Sequence, residues 1–290
     1  MAEIITSQYI NTNNIRLHCM IAGEGEPIIL LHGFPEHWYS WRHQIPALIN
    51  NGQVIVPDLR GYNLSDKPVG VQNYDIDILA KDVIGIIEAV GAHQAIVIGH
   101  DWGGAIAWWL AIRHPQMVKR LVVMNCPHPI AFQQRIWEFE QFCKSWYMFF
   151  FQLPWLPEQF IHLVGVHNIT ARIFRDSAVE PTAFSNEDID RLATAIDQPG
   201  ALTAMINYYR AGFRRCFDRA LFKQLASSQI EMPTLIIWGE QDRFLVRGNT
   251  EGLQRWVKDL TVKYLPDSGH WVQQEKPEIV NELLKEFLLA

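Results

Sequence analysis

Six short apolar segments recur along the chain, and each has the length and the β-branched content of a buried strand. A continuous apolar run of this kind is typical of a strand that is covered on both faces of its sheet. The six segments are "EPIILLHG" (26–33), "GQVIVPDLRG" (52–61), "QAIVIGH" (94–100), "VKRLVVMN" (118–125), "MPTLIIWGE" (232–240) and "TVKYLPDSGH" (261–270).

Stretches with helical spacing lie between these segments. The alternation of strands and helices predicts an α/β fold with a mostly parallel, doubly wound sheet. Helices are predicted at about 38–50, 75–90 and 102–113, between the last two strands, and at about 276–289.

The alternation stops between residues 129 and 228, where helical spacing continues without a buried-strand run. This stretch holds more than half of the aromatic side chains of the chain. We therefore predict one α/β core, formed by residues 1–128 and 229–290, with a helical cap of residues 129–228 inserted in it.

Composition excludes several classes of protein. Apolar residues make up 49% of the chain and the net charge is −6, so a full core is expected and a basic face for nucleic acid is not. No apolar run approaches the length of a membrane span, and the first twenty residues lack the pattern of a signal peptide. The four cysteines are widely spaced, which favours a reducing, cytoplasmic setting. Oligomeric state stays open.

The segment "GHDWGGAIAW" (99–108) follows a predicted strand and opens a predicted helix. Gly99 and Gly103 flank Asp101 at the spacing of a nucleophile elbow, a turn so tight that only small neighbours fit. Serine usually occupies the tip of such a turn, whereas an acid stands here. The pattern predicts Asp101 as a nucleophile.

Two more polar residues follow predicted strands. Asp242 comes after "TLIIWGE" and His270 after "VKYL", and ligands of open α/β sheets bind at this edge. The order nucleophile, acid, histidine is that of alpha/beta-hydrolases. Taken singly, either aspartate could cap a helix and His270 could lie on the surface. The acid could also stand one strand earlier, at the end of the strand before the cap. That position is Asn125, which supplies no charge, so Asp242 is predicted as the acid.

With these residues, the chain resembles an epoxide hydrolase of the alpha/beta-hydrolase family over nearly its whole length. Five segments carry the resemblance in order: "HGFPEHWYSWRHQIPAL", "PDLRGYNLSDKP", "GHDWGG", "WGEQDRFL" and "SGHWVQQEKPE". The resemblance implies the alpha/beta-hydrolase fold with an inserted cap.

The resemblance also implies two cap tyrosines above the nucleophile. "SWYMFFFQLPW" places the first at Tyr147 and "INYYRAGF" the second at Tyr209, while ordinary packing is the alternative for both. Tyr208 is adjacent, and because helical neighbours point about 100° apart, only one of the pair should face the pocket. Two departures stand out: Asn63 replaces a usual glycine, and "QLPW" follows the first tyrosine in place of the usual Gln-Glu-Pro-Gly.

A carboxylate nucleophile suits an epoxide, which has a strained, electrophilic carbon but no carbonyl. Attack by Asp101 gives an alkyl ester whose carbonyl belongs to the enzyme, and water activated by His270 can then hydrolyse it. Asp242 would orient His270. Backbone N–H groups of Phe34 and Trp102 would form the oxyanion hole. The expected partners are a small apolar epoxide and water, and no cofactor or metal is expected.

Two alternatives stay open. A haloalkane or haloacid dehalogenase shares the fold and the aspartate, and Trp102 could donate to a leaving halide. Haloalkane dehalogenases typically have asparagine where this chain has Phe34, and haloacetate dehalogenases have arginine where it has Trp102. A catalytically silent binding protein on the same fold is the second alternative, against which the intact set of nucleophile, acid and base argues.

Overall fold

A computed structural model describes residues 5–289 of the chain. Eight strands form one sheet in the spatial order β1-β2-β4-β3-β5-β6-β7-β8. The strands are β1 (Thr6–Thr12), β2 (Ile15–Ala22), β3 (Pro27–Leu31), β4 (Gln53–Pro57), β5 (Ala95–His100), β6 (Val118–Met124), β7 (Thr234–Gly239) and β8 (Leu260–Leu265). Strands β3 to β8 are parallel to one another, which confirms the predicted fold class.

The structure also contains a hairpin, formed by β1 and β2, that the apolar pattern does not predict. Both of its strand pairings, β1 with β2 and β2 with β4, are antiparallel. Its turn is formed by Asn13 and Asn14 with φ of 44° and 61°, a region that asparagine tolerates and that tight hairpin turns require. Strand β1 is mostly exposed, so it lacks the apolar run that marks the buried strands.

Thirteen α-helices are found within residues 5–289. They are α1 (Ile45–Leu48), α2 (Ile76–Ala89), α3 (Trp102–Arg113), α4 (Pro129–Arg135), α5 (Phe139–Lys144), α6 (Trp146–Phe150), α7 (Leu156–Val164), α8 (Val166–Ser177), α9 (Asn186–Ile196), α10 (Ala201–Arg215), α11 (Arg219–Ala226), α12 (Val272–Glu275) and α13 (Pro277–Leu289).

Two predicted helices are wrong: the first is much shorter than predicted, and the second is replaced by 3₁₀ turns. The stretch 38–50 contains a short 3₁₀ turn at Trp38–Trp41 and the four-residue helix α1. Between β7 and β8 the chain forms two 3₁₀ turns, Arg247–Thr250 and Leu253–Arg255, in place of a helix. Gly252, with φ of 67°, interrupts the helical spacing there.

The central strands are buried on both faces, as their apolar runs predict. In β3, Ile29 and Leu31 pack into one hydrophobic cluster, while Ile28 and Leu30 pack into a second cluster on the other side of the sheet. Helix α3 packs on the first side and α13 on the second. The sheet is therefore a rigid middle layer, and its carboxyl edge can hold side chains in fixed positions.

The helices α4 to α11 all lie between β6 and β7, and no strand occurs in this fully described stretch. We refer to them together as the helical segment. No helix within residues 5–289 combines the length and the apolar character needed to cross a membrane.

Candidate active site

Asp101 occupies a strained turn between β5 and α3. Its φ is 48° and its ψ is −119°, a conformation that non-glycine residues rarely adopt. A β-carbon at Gly99 would clash with the backbone of Gly103, and a β-carbon at Gly103 would clash with the carbonyl of Leu31. The glycines flanking Asp101 are thus required by close backbone contacts, as the elbow spacing predicts.

The carboxylate of Asp101 makes no N-capping hydrogen bond to α3. Instead, the backbone N–H of Phe34 donates to Oδ1 over 2.7 Å. Burial raises the pKa of the Asp101 carboxyl. His270, His100 and the backbone N–H groups of Phe34 and Trp102 offset part of that rise. The two residues predicted as oxyanion donors therefore both lie against this carboxylate.

His270 lies between two carboxylates. Its Nδ1 donates to Oδ2 of Asp242 over 2.7 Å, and its Nε2 lies 3.7 Å from Oδ2 of Asp101. The other oxygen of Asp242 accepts from the backbone N–H groups of Phe244 and Leu245, over 2.7 and 3.0 Å. Asp242 thus shapes the turn after β7 with one oxygen and orients His270 with the other.

Asn125 is a site residue that the sequence does not reveal. It directly follows β6, has φ of 39°, and its Nδ2 donates to Oδ2 of Asp242 over 2.7 Å. Its Oδ1 accepts from the backbone N–H of Gly239 over 2.9 Å. Asn125 therefore fixes Asp242 from the neighbouring strand, without adding a charge.

The neighbouring charges favour the protonated form of His270. Burial lowers the pKa of His270, but the carboxylates of Asp242, Asp101 and Glu36 outweigh burial and raise it to about 9. Burial also raises the pKa of Asp242, yet the interactions with His270 and Asn125 hold it below its usual range. At neutral pH the site therefore holds an imidazolium between two carboxylates.

A second buried histidine lies directly behind the site. The Nδ1 of His100 lies 2.8 Å from Oε2 of Glu36, and its Nε2 lies 2.8 Å from the backbone carbonyl of His270. A backbone carbonyl can only accept, so Nε2 of His100 donates to it. Glu36 also accepts from the backbone N–H of Gly33 over 2.8 Å. This network fixes the backbone at His270 and is invisible in the sequence, because its members come from distant strands.

The helical segment places two tyrosines over Asp101. Tyr147 on α6 and Tyr209 on α10 have ring centroids 5.7 Å apart, and both line the cavity that contains Asp101. Burial raises the pKa of each phenol, and the Asp101 carboxylate adds to the rise, so both hydroxyls stay protonated. Tyr208 faces the other way and donates to the carbonyl of Arg60 over 2.6 Å.

Two cavities meet at Asp101, Tyr147 and Tyr209. One has a volume of about 230 Å³ and is lined mainly by aromatic side chains of the helical segment, together with His270 and Phe34. The other has a volume of about 200 Å³ and lies above α3, beside Trp102. The reacting groups thus lie at the junction of two apolar arms.

Both departures from the family pattern are accommodated. Asn63 has φ of 39°, and its side chain donates to the buried carboxylate of Asp58 over 2.8 Å. Trp155 of the "QLPW" stretch adopts φ of 53° and is exposed. None of residues 152–155 lines either cavity, so this departure lies outside the walls of the pocket.

Within the described part of the chain, no three His, Cys, Asp or Glu side chains are grouped so that they could hold a metal ion. The site itself combines a carboxylate at a strand-to-helix turn with a histidine and a second carboxylate behind it, at the carboxyl edge of an α/β sheet. This is the arrangement that alpha/beta-hydrolases place at that edge.

Known proteins are similar to nearly the whole chain. Residues 26–277 match the family described as alpha/beta hydrolase fold. The AB hydrolase superfamily protein YfhM of Bacillus subtilis (strain 168) is 41% identical, with 98% of each chain covered. Human epoxide hydrolase 4 is 38% identical over 96% of this chain and 77% of its own. The Bacillus megaterium epoxide hydrolase, solved with an inhibitor, is 32% identical with a TM-score of 0.84 and covers 98% of this chain and 100% of its own. The chain belongs to the alpha/beta-hydrolase fold family, among its epoxide hydrolases.

The charge of Asp101 should set the protonation of His270. We expect Asp101→Asn to lower the pKa of His270 below its value of about 9, because the carboxylate that favours the imidazolium is gone. An NMR titration of the His270 ring measures this. Asp66→Asn, at an exposed carboxylate, is the matched control and should leave it unchanged. If the pKa of His270 were the same in Asp101→Asn, that result would contradict the 3.7 Å separation between Nε2 of His270 and Oδ2 of Asp101.

Proposed function

We propose that this protein hydrolyses an apolar epoxide to a vicinal diol through an alkyl ester on Asp101. The observation that carries the proposal is the pair of protonated phenols, Tyr147 and Tyr209, that line the cavity beside a nucleophilic carboxylate. We also propose a cytoplasmic location, in which the four free thiols stay reduced.

In the first step, a carboxylate oxygen of Asp101 attacks one ring carbon, and the bond from that carbon to the epoxide oxygen breaks. The hydroxyls of Tyr147 and Tyr209 donate hydrogen bonds to the leaving oxygen, which would otherwise be a poorly stabilised alkoxide. Because the pKa of both phenols is raised, they remain donors and do not accumulate as tyrosinates.

The proton balance of this step closes within the site. The resting site pairs one negative charge on Asp101 with the positive charge of His270. Ester formation removes the negative charge, so the pKa of His270 falls and its proton becomes available to the hydroxyl that forms. The ester state then contains a neutral imidazole, which is the form that a general base requires.

In the second step, His270 removes a proton from water, and the hydroxide attacks the ester carbonyl. The backbone N–H groups of Phe34 and Trp102, which lie against the carboxylate in the resting site, stabilise the oxyanion. Collapse releases the diol and restores the Asp101 carboxylate together with the His270 imidazolium. One water is consumed and no other reactant is needed.

The two arms of the cavity define the substrate class. Both are lined mainly by aromatic and aliphatic side chains, and they join at the reacting groups. An epoxide with an apolar group on one or both ring carbons fits this shape, since each arm can take one substituent. A halide leaving group would gain little from the phenols, because it needs no proton.

Product analysis tests the proposal directly. We expect the protein to convert styrene oxide to its diol and to release no bromide from 1-bromobutane. Chromatography of the diol and a bromide assay measure the two outcomes. Bromide release without diol formation would favour the dehalogenase alternative, and neither product would favour a binding protein.

We expect His270→Gln to slow ester hydrolysis by about 10²–10⁴-fold while ester formation continues. Intact-protein mass spectrometry after mixing with styrene oxide should then show the enzyme plus one substrate mass. Peptide mapping should place the added mass on Asp101. His93→Gln, at an exposed histidine, is the matched control and should turn over normally. An inactive His270→Gln protein that never accumulates adduct would refute the role of His270.

We expect Tyr147→Phe and Tyr209→Phe each to slow ester formation in part, because one hydroxyl can still hold the leaving oxygen. The double variant should nearly abolish it while keeping both rings and the apolar packing. Single-turnover kinetics measure the rate, and circular dichroism checks the fold. Tyr208→Phe removes a neighbouring hydroxyl that faces away from the cavity and should have little effect. If the double variant opened the epoxide at a near-normal rate, the two tyrosines would only pack in the cavity wall and would not assist ring opening.

A further inference from the structure

The outer face of the helical segment exposes an unusual number of large apolar side chains. We call six of them the aromatic surface: Trp137, Phe139, Phe142, Trp146, Phe160 and Leu163, which are between 42% and 86% exposed. On α7, Leu156, Phe160 and Leu163 share one face at helical spacing, and all three are exposed. A large exposed apolar patch often marks a site that binds another protein, a membrane or a ligand.

Ring contacts join four of these side chains into two groups that meet at consecutive residues of the short helix α6. Trp137 lies 6.3 Å from Phe142 and 6.2 Å from Phe149, centroid to centroid. Phe150, which follows Phe149 on α6, lies 6.2 Å from Trp146 and 5.9 Å from Phe160. Helix α6 therefore connects the two groups.

The aromatic surface continues into the catalytic cavity. Trp146 is 64% exposed and Phe160 is 48% exposed, yet both line the cavity that holds Asp101 and His270. Helix α6 also carries Tyr147, one residue after Trp146. Trp146 and Phe160 are thus the part of the aromatic surface that forms the rim of the cavity opening.

We propose that the aromatic surface docks on a lipid bilayer and that the substrate passes from the bilayer directly into the cavity. This inference rests on the proposed function, because it needs an apolar substrate. A protein partner, including a second copy of the chain, would cover Trp146 and Phe160 and close the opening. A lipid phase covers the same side chains but itself dissolves and delivers apolar epoxides.

Residue types and charges specify the kind of bilayer. Tryptophan suits the boundary between headgroups and acyl chains, where its ring is apolar and its N–H remains hydrated, and Trp137 and Trp146 are both exposed. The charged side chains beside the aromatic surface are paired with one another: Glu138 with Arg135 over 3.1 Å and Glu140 with Lys144 over 3.7 Å. A border of paired charges offers no net attraction to anionic lipid, so the surface fits zwitterionic headgroups, and its docking should depend little on salt.

Vesicle flotation with phosphatidylcholine liposomes tests the proposal on the full-length protein. The test variant is Trp137→Ser combined with Phe139→Ser and Leu163→Ser, three positions that do not line the cavity. The matched control is Val69→Ser combined with Ile279→Ser and Leu289→Ser, three exposed apolar positions outside the helical segment. We expect wild type and control to float, and the test variant to partition at least about tenfold less, which is about 1.4 kcal/mol.

Activity adds a second measurement. With a long-chain alkyl epoxide dissolved in the liposomes, the rate of diol formation should fall in the test variant by the same factor as its binding to the liposomes. With styrene oxide in water, wild type and test variant should react at equal rates. Equal rates on the vesicle-borne substrate would overturn direct delivery.

Other outcomes overturn the proposal in different ways. A wild-type protein that does not float would refute docking. Light scattering that shows a dimer in wild type but a monomer in the test variant would assign the surface to a second copy of the chain. Flotation does not depend on catalysis, so a protein that floats but opens no epoxide would refute the proposed function and leave docking intact.

Discussion

A carboxylate buried on a strained backbone turn is costly, and the structure around Asp101 consists largely of groups that offset this cost. Burial raises the pKa of the Asp101 carboxyl and so disfavours its ionised form. The N–H of Phe34 and the cation of His270 favour the ionised form. The strain is held by the rigid sheet, because β5 pairs with β3 on one side and with β6 on the other.

The groups that stabilise the resting carboxylate are the ones that the proposed ester would require. An N–H group that donates to Asp101 before reaction can donate to an oxyanion after it, without movement. In the proposed mechanism, His270 changes role because its neighbour loses a charge, while its own hydrogen bond to Asp242 persists. Asn125 holds Asp242 in place in both states by a neutral hydrogen bond, and so it leaves the charge balance unaltered.

The sequence predicts what depends on short-range pattern. The parallel strands appear as apolar runs, and the residues at their carboxyl ends, Asp101, Asp242 and His270, meet because strand ends share an edge. The β1–β2 hairpin lacks that signal because β1 is exposed, although its Asn13–Asn14 turn carries a recognisable one. The contributions of Asn125 and His100 depend on partners more than 60 residues away, which no local pattern records.

The helical segment does more than cover the cavity, because it is tied to the acid loop of the core. Gln141 on α5 is fully buried, donates to the carbonyl of Phe244 over 2.9 Å and accepts from the N–H of Val246 over 3.0 Å. Lys144 donates to the carbonyl of Asp242 itself over 2.6 Å. The next helix, α6, carries Tyr147 inward and Trp146 outward. The same short stretch of chain thus holds the loop of Asp242, presents the phenol of Tyr147 to the cavity beside Asp101 and forms the rim of the opening. A shift of this stretch would alter all three together, so its aromatic packing constrains the chemistry as well as access to it.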